Sequence, residues 1–284
     1  MSDDVAGGAP VTAMVFTLNE EVNLLHCLPS LQWCSEVIVV DSFSTDSTAS
    51  ICAAHGARLV QHAFEGFGTQ RNWALDHAQA RNKWILILDA DERVPPELAA
   101  ELTAIAQANP AGVGAWRVRR RFHMWGRWLK HSSLYPTWVV RFVHADRVRY
   151  ENRGHAETQA VSGRIGDLGH DLIDENHKGI GEWYERQHRY AAKDAEFELT
   201  ARSRKWQPGD LVSPDPLVRR AALKRVASAM PARGLAYFLY AYVWRLGFLD
   251  GREGFRYCRM RAWYQTQVAS RVKDLKQRAV GDTR

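Results

Sequence analysis

The sequence predicts an α/β protein in which a mixed, mainly parallel sheet is flanked by helices and followed by a C-terminal helical appendage. Three observations carry this. Through the first hundred residues, short apolar runs rich in β-branched side chains alternate with segments of helical spacing, as strand–helix–strand units do. The runs are apolar at successive positions, which suits strands covered on both faces. Beyond about residue 205 the chain turns helical, aromatic and basic.

The elements follow in order. Val11–Leu18 reads as a buried strand, and Glu21–Leu31 carries Val22, Leu25 and Leu28 at helical spacing. Glu36–Asp41 (EVIVVD) is the clearest strand, and Thr45–His55 reads as a helix capped by Ser44 or Thr45. Arg58–His62 is a short strand, Gln70–Ala80 a helix, and Lys83–Leu88 (KWILIL) a further buried strand. Pro95–Ala108 is a helix opened by two prolines. Ala115–Phe122, Thr137–Val143 and Arg147–Arg153 read as strands. A mostly helical region is then predicted, with Ile180–Thr200 its strongest segment. Trp206–Pro216 reads as a boundary loop, and Leu217–Met230, Gly234–Leu249 and Glu253–Lys276 as three helices. The predicted division is a catalytic domain over 1–205 and an appendage over 206–284.

Charge separates the two parts. Residues 1–200 hold 20 basic and 26 acidic side chains, whereas 201–284 hold 18 basic and 6 acidic. That asymmetry points to a polyanionic partner for the tail, nucleic acid or an anionic membrane. Hydrophobic residues make up 46% of the chain, which excludes a disordered or fibrous protein. The 4 cysteines form no CxxC pair, so a reduced, cytosolic setting is expected. The acidic N-terminus does not read as a signal peptide, and no apolar run is long enough to span a bilayer.

An open parallel sheet binds ligands beyond the carboxyl ends of its strands. Two strand ends there carry carboxylates: Asp41, followed by Ser-Phe-Ser-Thr-Asp46, and Asp89-Ala90-Asp91-Glu92. A D-x-D at a strand exit can hold Mg²⁺ or Mn²⁺ through one or two carboxylates, leaving positions for phosphate oxygens. The same tripeptide also caps helices and fills turns.

Four motifs taken together are more specific: Thr17-Leu18-Asn19-Glu20, Val39-Val40-Asp41-Ser42, Gly68-Thr69-Gln70-Arg71-Asn72 and Leu88-Asp89-Ala90-Asp91-Glu92. Their order and spacing resemble family 2 glycosyltransferases, which use a GT-A, Rossmann-like fold. The resemblance covers about residues 10–110 and is greatest to a bacterial subgroup that includes lipopolysaccharide-core β-glucosyltransferases. The tail around Leu246–Phe255 (LGFLDGREGF) is similar too.

The resemblance implies a nucleotide-sugar part over about 10–110 and an acceptor part over 111–205. Thr17, Asn19, Glu20 and Asp41 would bind base and ribose, and Arg71 would approach the diphosphate. Asp91 would ligate Mn²⁺ or Mg²⁺, with Asp89 on the ribose or the metal's water shell. Many members carry a second Asp where this chain has Ser42, which leaves the nucleotide open, although a UDP-sugar is the commonest donor. Family members are typically inverting and need a carboxylate base. The subgroup's His-Glu pair corresponds to His155-Ala156-Glu157, with one residue intervening. Glu157 is the expected base, Asp167 the reserve, and His155 a metal or phosphate ligand.

Trp116, Trp125, Trp128 and Trp138 lie among Arg119, Arg120, Arg121 and Arg127, which suits an acceptor carrying sugar and phosphate, or ordinary packing. His170 and His177 read as structural or surface residues. The aromatic, basic tail describes helices resting on an anionic membrane, or a hairpin packed on the domain. The resulting expectation is a metal-dependent transferase with a glycan or lipid-linked acceptor, cytoplasmic and peripheral at the inner face of the cell membrane, with no nucleic-acid partner. A nucleotidyltransferase and a nucleic-acid-binding protein are the rivals. The first lacks its Gly-rich loop after the first strand; the second sits poorly with the aromatic run and the acidic first 200 residues.

Overall fold

The computed structural model describes residues 8–153, 156–202, 207–214 and 232–281, and positions 219, 222, 226 and 230 between them. Eleven strands are present among them: β1 (Ala9–Thr17), β2 (Cys34–Asp41), β3 (Arg58–Gln61), β4 (Trp84–Asp89), β5 (Glu92–Arg93), β6 (Val113–Met124), β7 (Arg127–Trp128), β8 (Thr137–His144), β9 (Val148–Arg153), β10 (Ala156–Val161) and β11 (Arg164–Glu175). Nine form one sheet in the order β3-β2-β1-β4-β8-β6-β11-β5, with β7 on β6. The β3-β2-β1-β4 part is parallel throughout. β8 joins it to β6 by antiparallel pairing on both sides, and β11 runs parallel to β6. The helices of this region are α1 (Glu21–Cys27), α2 (Thr48–Ala54), α3 (Phe67–His77) and α4 (Pro96–Ala108).

The two-sided burial inferred from the strand sequences is visible residue by residue. Val11, Ala13 and Val15 of β1 face one core with Leu24 of α1 and Leu98 and Leu102 of α4. Met14 faces the other, with Ile38, Val40, Ile85, Ile87 and Ala74 of α3. Alternation along a strand sends successive side chains to opposite faces, so a strand apolar at every position feeds two cores.

Three expectations need correction. The region after Arg153 is not mostly helical: β10 pairs antiparallel with β9, and β11 extends over 12 residues. Its sequence, RIGDLGHDLIDE, shows weak local preference; β6 beside it supplies both the ladder and partners for its aspartates. Strand pairing of this kind is set by neighbours more than by intrinsic propensity. α2 starts at Thr48 rather than Thr45, since Asp46 Oδ1 accepts from the Thr48 backbone N–H at 3.0 Å. The stretch Gly234–Leu249 is not one helix. It comprises an α-helix (Arg233–Phe238), a π-helical turn (Leu239–Trp244) and a 3₁₀ turn (Gly247–Asp250), with Leu246 at φ 60° between the last two. The helix predicted over 217–230 lies largely outside the described residues.

The chain forms two compact units. The first holds the described residues up to Trp128 and Tyr135–Gly179; the second holds Leu129–Leu134 and the described residues from Ile180 onward. In the second unit, α5 (Gly179–Arg202) and the helix Gly251–Gly281 bury Ala191, Ala195, Tyr264, Val268 and Val272 together. No helix among the described residues is long and apolar enough to cross a membrane.

Candidate active site

Register places the site. Thr17 of β1 is the cross-strand partner of Asp41 of β2, and Phe16 is the partner of Asp89 of β4. The carboxylates therefore stand in a row at the C-terminal ends of three adjacent parallel strands, where the sheet's topology opens toward a ligand.

Asp41 is buried, and its surroundings satisfy it. Thr17 Oγ1 donates to Oδ1 at 3.0 Å, the Ser44 backbone N–H donates to Oδ2 at 2.9 Å, and Ser44 Oγ donates to Oδ1 at 2.5 Å. Ser42 accepts at Oγ from Gln70 Nε2 at 2.7 Å. Asn19 has φ 54° and ties the two strand exits together. Its N–H donates to Ser44 Oγ at 2.7 Å, and its Oδ1 accepts from Thr45 N–H at 2.8 Å. Glu20 accepts from Asn23 Nδ2 at 2.7 Å and from Lys178 Nζ at 2.6 Å. Burial pushes the Glu20 carboxyl above its ordinary value, and Lys178 only partly opposes this.

Asp89 lies between two arginines. Arg71 Nη2 donates to its Oδ1 at 2.8 Å and Arg141 Nη2 to its Oδ2 at 2.5 Å. Burial works against the charged form of Asp89, but Arg141 and Arg71 outweigh it and hold the carboxyl below the usual carboxylate range. Arg141 also donates to Glu92 Oε1 at 2.7 Å, and Glu92 Oε2 accepts from the Asp89 backbone N–H at 3.0 Å. Burial pushes Glu92 upward despite Arg141. Asp174, paired with Arg120 at 3.1 Å, is pushed up to about 7 by burial, which Arg120 opposes and the charges of Asp91, Glu92 and Asp89 reinforce.

Arg71 is the hub. It is buried, with Phe16, Phe67 and Tyr150 rings 5.5, 5.9 and 5.7 Å from its guanidinium carbon. One guanidinium nitrogen holds Asp89 and another holds Glu157 on β10. Asn72, the next residue, donates to the Tyr150 carbonyl at 2.8 Å and accepts from its N–H at 2.9 Å. Asn152 accepts from Gly68 N–H at 2.8 Å, and a Cβ on Gly66, whose φ is 147°, would meet the Asn152 side chain at 2.8 Å. The start of α3 is thus clamped to the β9–β10 hairpin, and this brings Glu157 to Arg71.

Asp91 accepts from Asn176 Nδ2 at 3.2 Å, and its carbonyl accepts from Glu175 N–H at 2.8 Å. The next residue, His177, stacks on His26 with ring centroids 4.0 Å apart, and burial together with His26 lowers its pKa. Among the described residues no group of three His, Cys, Asp or Glu side chains could hold a metal ion alone. His155 lies outside the described residues. Asp167 does not join the site. It pairs with Arg117 at 2.5 Å and precedes Asp174 by seven residues on the same strand, roughly 20 Å at the rise of an extended chain.

The Trp–Arg segment forms a ladder. Alternate residues Arg117, Arg119 and Arg121 share one face of β6. The first two lie 4.9 and 5.5 Å from the Trp138 ring and the third 5.2 Å from Trp128. Asp167 takes Arg117, and Asp171 takes both Arg119 and Arg121 at 2.6 and 2.7 Å. These guanidinium groups already have carboxylate partners. Arg120 points to the other face, toward Asp174.

Sequence reasoning missed Arg141 and Lys178, and it quoted Asn72 in a motif without giving it a role. Arg141 had a legible signal: a lone cation inside the apolar strand Thr137–His144 requires a buried carboxylate. Lys178 had none, and the role of Asn72 in its motif was not legible, because their partners are distant in sequence.

The family model for Glycosyl transferase family 2 matches residues 12–168. The chain belongs to this family. Its region of match contains every site residue described above except those from Asp171 onward: Asp171, Asp174, Glu175, Asn176, His177 and Lys178. The lipopolysaccharide core biosynthesis glycosyltransferase LpsC of Rhizobium meliloti (strain 1021) is 31% identical over 147 residues, which are 50% of this chain and 53% of LpsC. An uncharacterized glycosyltransferase of Rickettsia bellii is 36% identical over 96 residues, 34% of this chain and 32% of the relative. The matched part thus spans about half of LpsC and a third of the rickettsial protein. Among solved structures, the mannosyltransferase PcManGT from Pyrobaculum calidifontis, in complex with GDP-Man and Mn²⁺, superposes with a TM-score of 0.51 at 19% identity, covering 95% of this chain and 89% of that one. At that identity the likeness concerns the fold alone, and it is the GT-A fold.

Proposed function

We propose that the chain is an inverting glycosyltransferase that moves a sugar from a nucleotide-diphosphate donor to a lipid-linked or lipopolysaccharide acceptor in bacterial envelope glycan synthesis. It would work at the inner face of the cell membrane, on an anionic surface. One observation carries the reading: Arg71 joins Asp89 at a strand end to Glu157 on the hairpin. A cation and two carboxylates meet where a family 2 donor would lie.

The chemistry follows from these groups. Thr17, Asn19 and Asp41 line the base and ribose end, with Glu20 held beside them by Lys178. Arg71, drawn to the donor's diphosphate, releases Glu157. The Glu157 carboxylate takes the proton of the acceptor hydroxyl as its oxygen forms a bond to the anomeric carbon. The bond from that carbon to the diphosphate oxygen breaks, and the electron pair leaves on the diphosphate. Attack opposite the leaving group inverts the centre. Asp89, fixed by Arg141, contacts the ribose.

Asp91 fits a divalent cation. Mg²⁺ or Mn²⁺ is commonly bound by one or two carboxylates and completed by phosphate oxygens and water, so the lack of a three-residue cluster is no obstacle. When bound, such a cation neutralises charge on the leaving diphosphate. A uridine donor is the first to test; the Ser42–Gln70 pair leaves guanosine in play.

Family membership weighs against the nucleotidyltransferase reading, and the aromatic run beside the basic tail favours a membrane over nucleic acid. The test is turnover of UDP- and GDP-sugars with Mn²⁺ or Mg²⁺ by the wild type and Asp91→Ala. Donor-dependent release of a nucleoside diphosphate, abolished in Asp91→Ala, is expected. If no nucleotide sugar binds and Asp91→Ala changes nothing, the reading fails.

A further inference from the structure

We propose that the segment 235–249 is an interfacial anchor that inserts apolar side chains among the headgroups of an anionic lipid surface. It deepens the membrane part of the reading above and names the segment responsible.

Leu235, Leu239 and Val243 recur every four residues along the α- and π-helical run, and all three are exposed. Trp244 at its end is 80% exposed, and Leu246 and Leu249 beyond it are exposed too. This face is not left over from poor packing. The opposite side of the run is packed: Ala241 is fully buried, a Cβ on Gly234 would collide with Thr266 and Ala262, and the half-buried Phe238 stacks on Tyr242 at 5.2 Å. The turn is also built to hold its shape. Asp250 accepts from His131 N–H at 2.9 Å, Ser132 N–H at 2.7 Å and Ser132 Oγ at 2.6 Å. A Cβ on Gly247 would lie 2.7 Å from the Ala241 carbonyl oxygen, so only glycine lets the chain return this closely. Leu246 has φ 60°, a conformation that bulky side chains rarely adopt. A fixed turn that strains one leucine and exposes a tryptophan is a feature to be explained by use.

Charge decides the occupant. On the helix Gly251–Gly281, Arg252, Arg256 and Arg259 stand at i, i+4 and i+7, on one face and exposed. Residues 201–284 carry 18 basic against 6 acidic side chains. A second copy docked through this segment would bring two such regions together, and like charges oppose that. A polyanion without an apolar layer would leave the leucines and Trp244 in water. An anionic membrane meets both demands: the apolar edge enters the headgroup boundary, and the arginines face the charged lipids.

The test uses the full chain and sedimenting vesicles of phosphatidylcholine with and without phosphatidylglycerol. The wild type is expected to sediment with the anionic vesicles and to be released by salt. Leu239→Asp with Trp244→Asp is expected to lower the partition coefficient at least about tenfold. Trp244→Ala, at an exposed position, keeps the test valid if the aspartate pair fails to fold; it is expected to weaken binding roughly tenfold. Equal sedimentation of Trp244→Ala and wild type overturns the proposal. So does equal binding to neutral vesicles, or loss of a solution dimer in place of lipid binding when these residues change. Donor turnover without vesicles is measured in parallel: an active enzyme that ignores vesicles sinks only the anchor, and vesicle binding without turnover sinks only the transferase reading.

Discussion

Replacing Arg71 by methionine removes the cation at the centre of the site and keeps most of its aliphatic bulk among the three rings. Arg71 and Glu157 have side-chain exposures of 3% and 14%, so their pair is shielded from solvent. Asp89 is partly exposed and keeps Arg141, the stronger of its two cations, so it loses less than Glu157 does. Glu157 is the group stranded. Leaving one partner of a buried pair uncompensated costs about 3–5 kcal/mol, and partial exposure of Glu157 puts this case at about 3 kcal/mol. For a chain of this size each kcal/mol moves the melting temperature by about 2–4 °C, so a fall of about 6–12 °C is expected. Glu157→Gln in the same chain removes the stranded charge and should recover about 1–2 kcal/mol. Urea unfolding of wild type, both single variants and the double variant, without donor, gives the coupling energy. If the double variant's loss equals the sum of the singles to within about 0.5 kcal/mol, the ion pair does not operate and the account of Arg71 as a hub is wrong.

Three further outcomes follow from the same contacts. Glu157→Gln should lower kcat by about a hundredfold or more with little change in the donor KM; unchanged kcat would remove Glu157 from the role of base. Asp171→Asn should lower stability at neutral pH by about 1–3 kcal/mol and flatten the acid limb of the stability curve. Burial raises the Asp171 carboxyl, but Arg121, Tyr135 and Arg119 bring it below its ordinary value. Its stabilisation is therefore present above the ordinary carboxylate pKa of about 4 and is lost as pH falls through the lower native value. Urea melts across the acid range would show two parallel curves if this is mistaken. Asp250→Ala should cost about 2–4 kcal/mol, because it unpairs the backbone N–H groups of His131 and Ser132 at a buried position; a melting temperature within error of wild type would contradict it.

The parallel strands were legible because each is apolar at successive positions and each ends in residues that do not continue the pattern. Asp41 and Asp89 were legible because polar motifs at strand ends have few uses, and Arg71 because it lies in the motif that opens α3. The proposed base was harder: His155-Ala156-Glu157 departs from the expected pair, and Glu157 is brought to Arg71 only by the contacts of Asn72 and Gly68 on α3 with Tyr150 and Asn152 on β9. Asp167 shared a strand with the site without sharing its end. β11 was misread because a strand with glycines and aspartates is stabilised by the arginines of β6, which a local window does not contain. The predicted boundary at 206–216 also differs from the compact units, which part at Gly179 and again around Leu129–Leu134.

By itself the sequence determined the elements whose stability is local or periodic: the strands apolar on both faces, the helices over them, and the separation of an acidic first part from a basic tail. These depend on side-chain pattern, which needs no partner to be read. The tertiary structure decided everything that rests on pairing at a distance. It put Arg141 against Asp89 and Glu92, turned the Trp–Arg segment into a neutralised ladder, and broke the tail's apolar run at Leu246 into a fixed, exposed turn. The physical reason is common to all three. A buried charge or a strained residue is defined by what surrounds it, and those surroundings come from strands and loops far away along the chain.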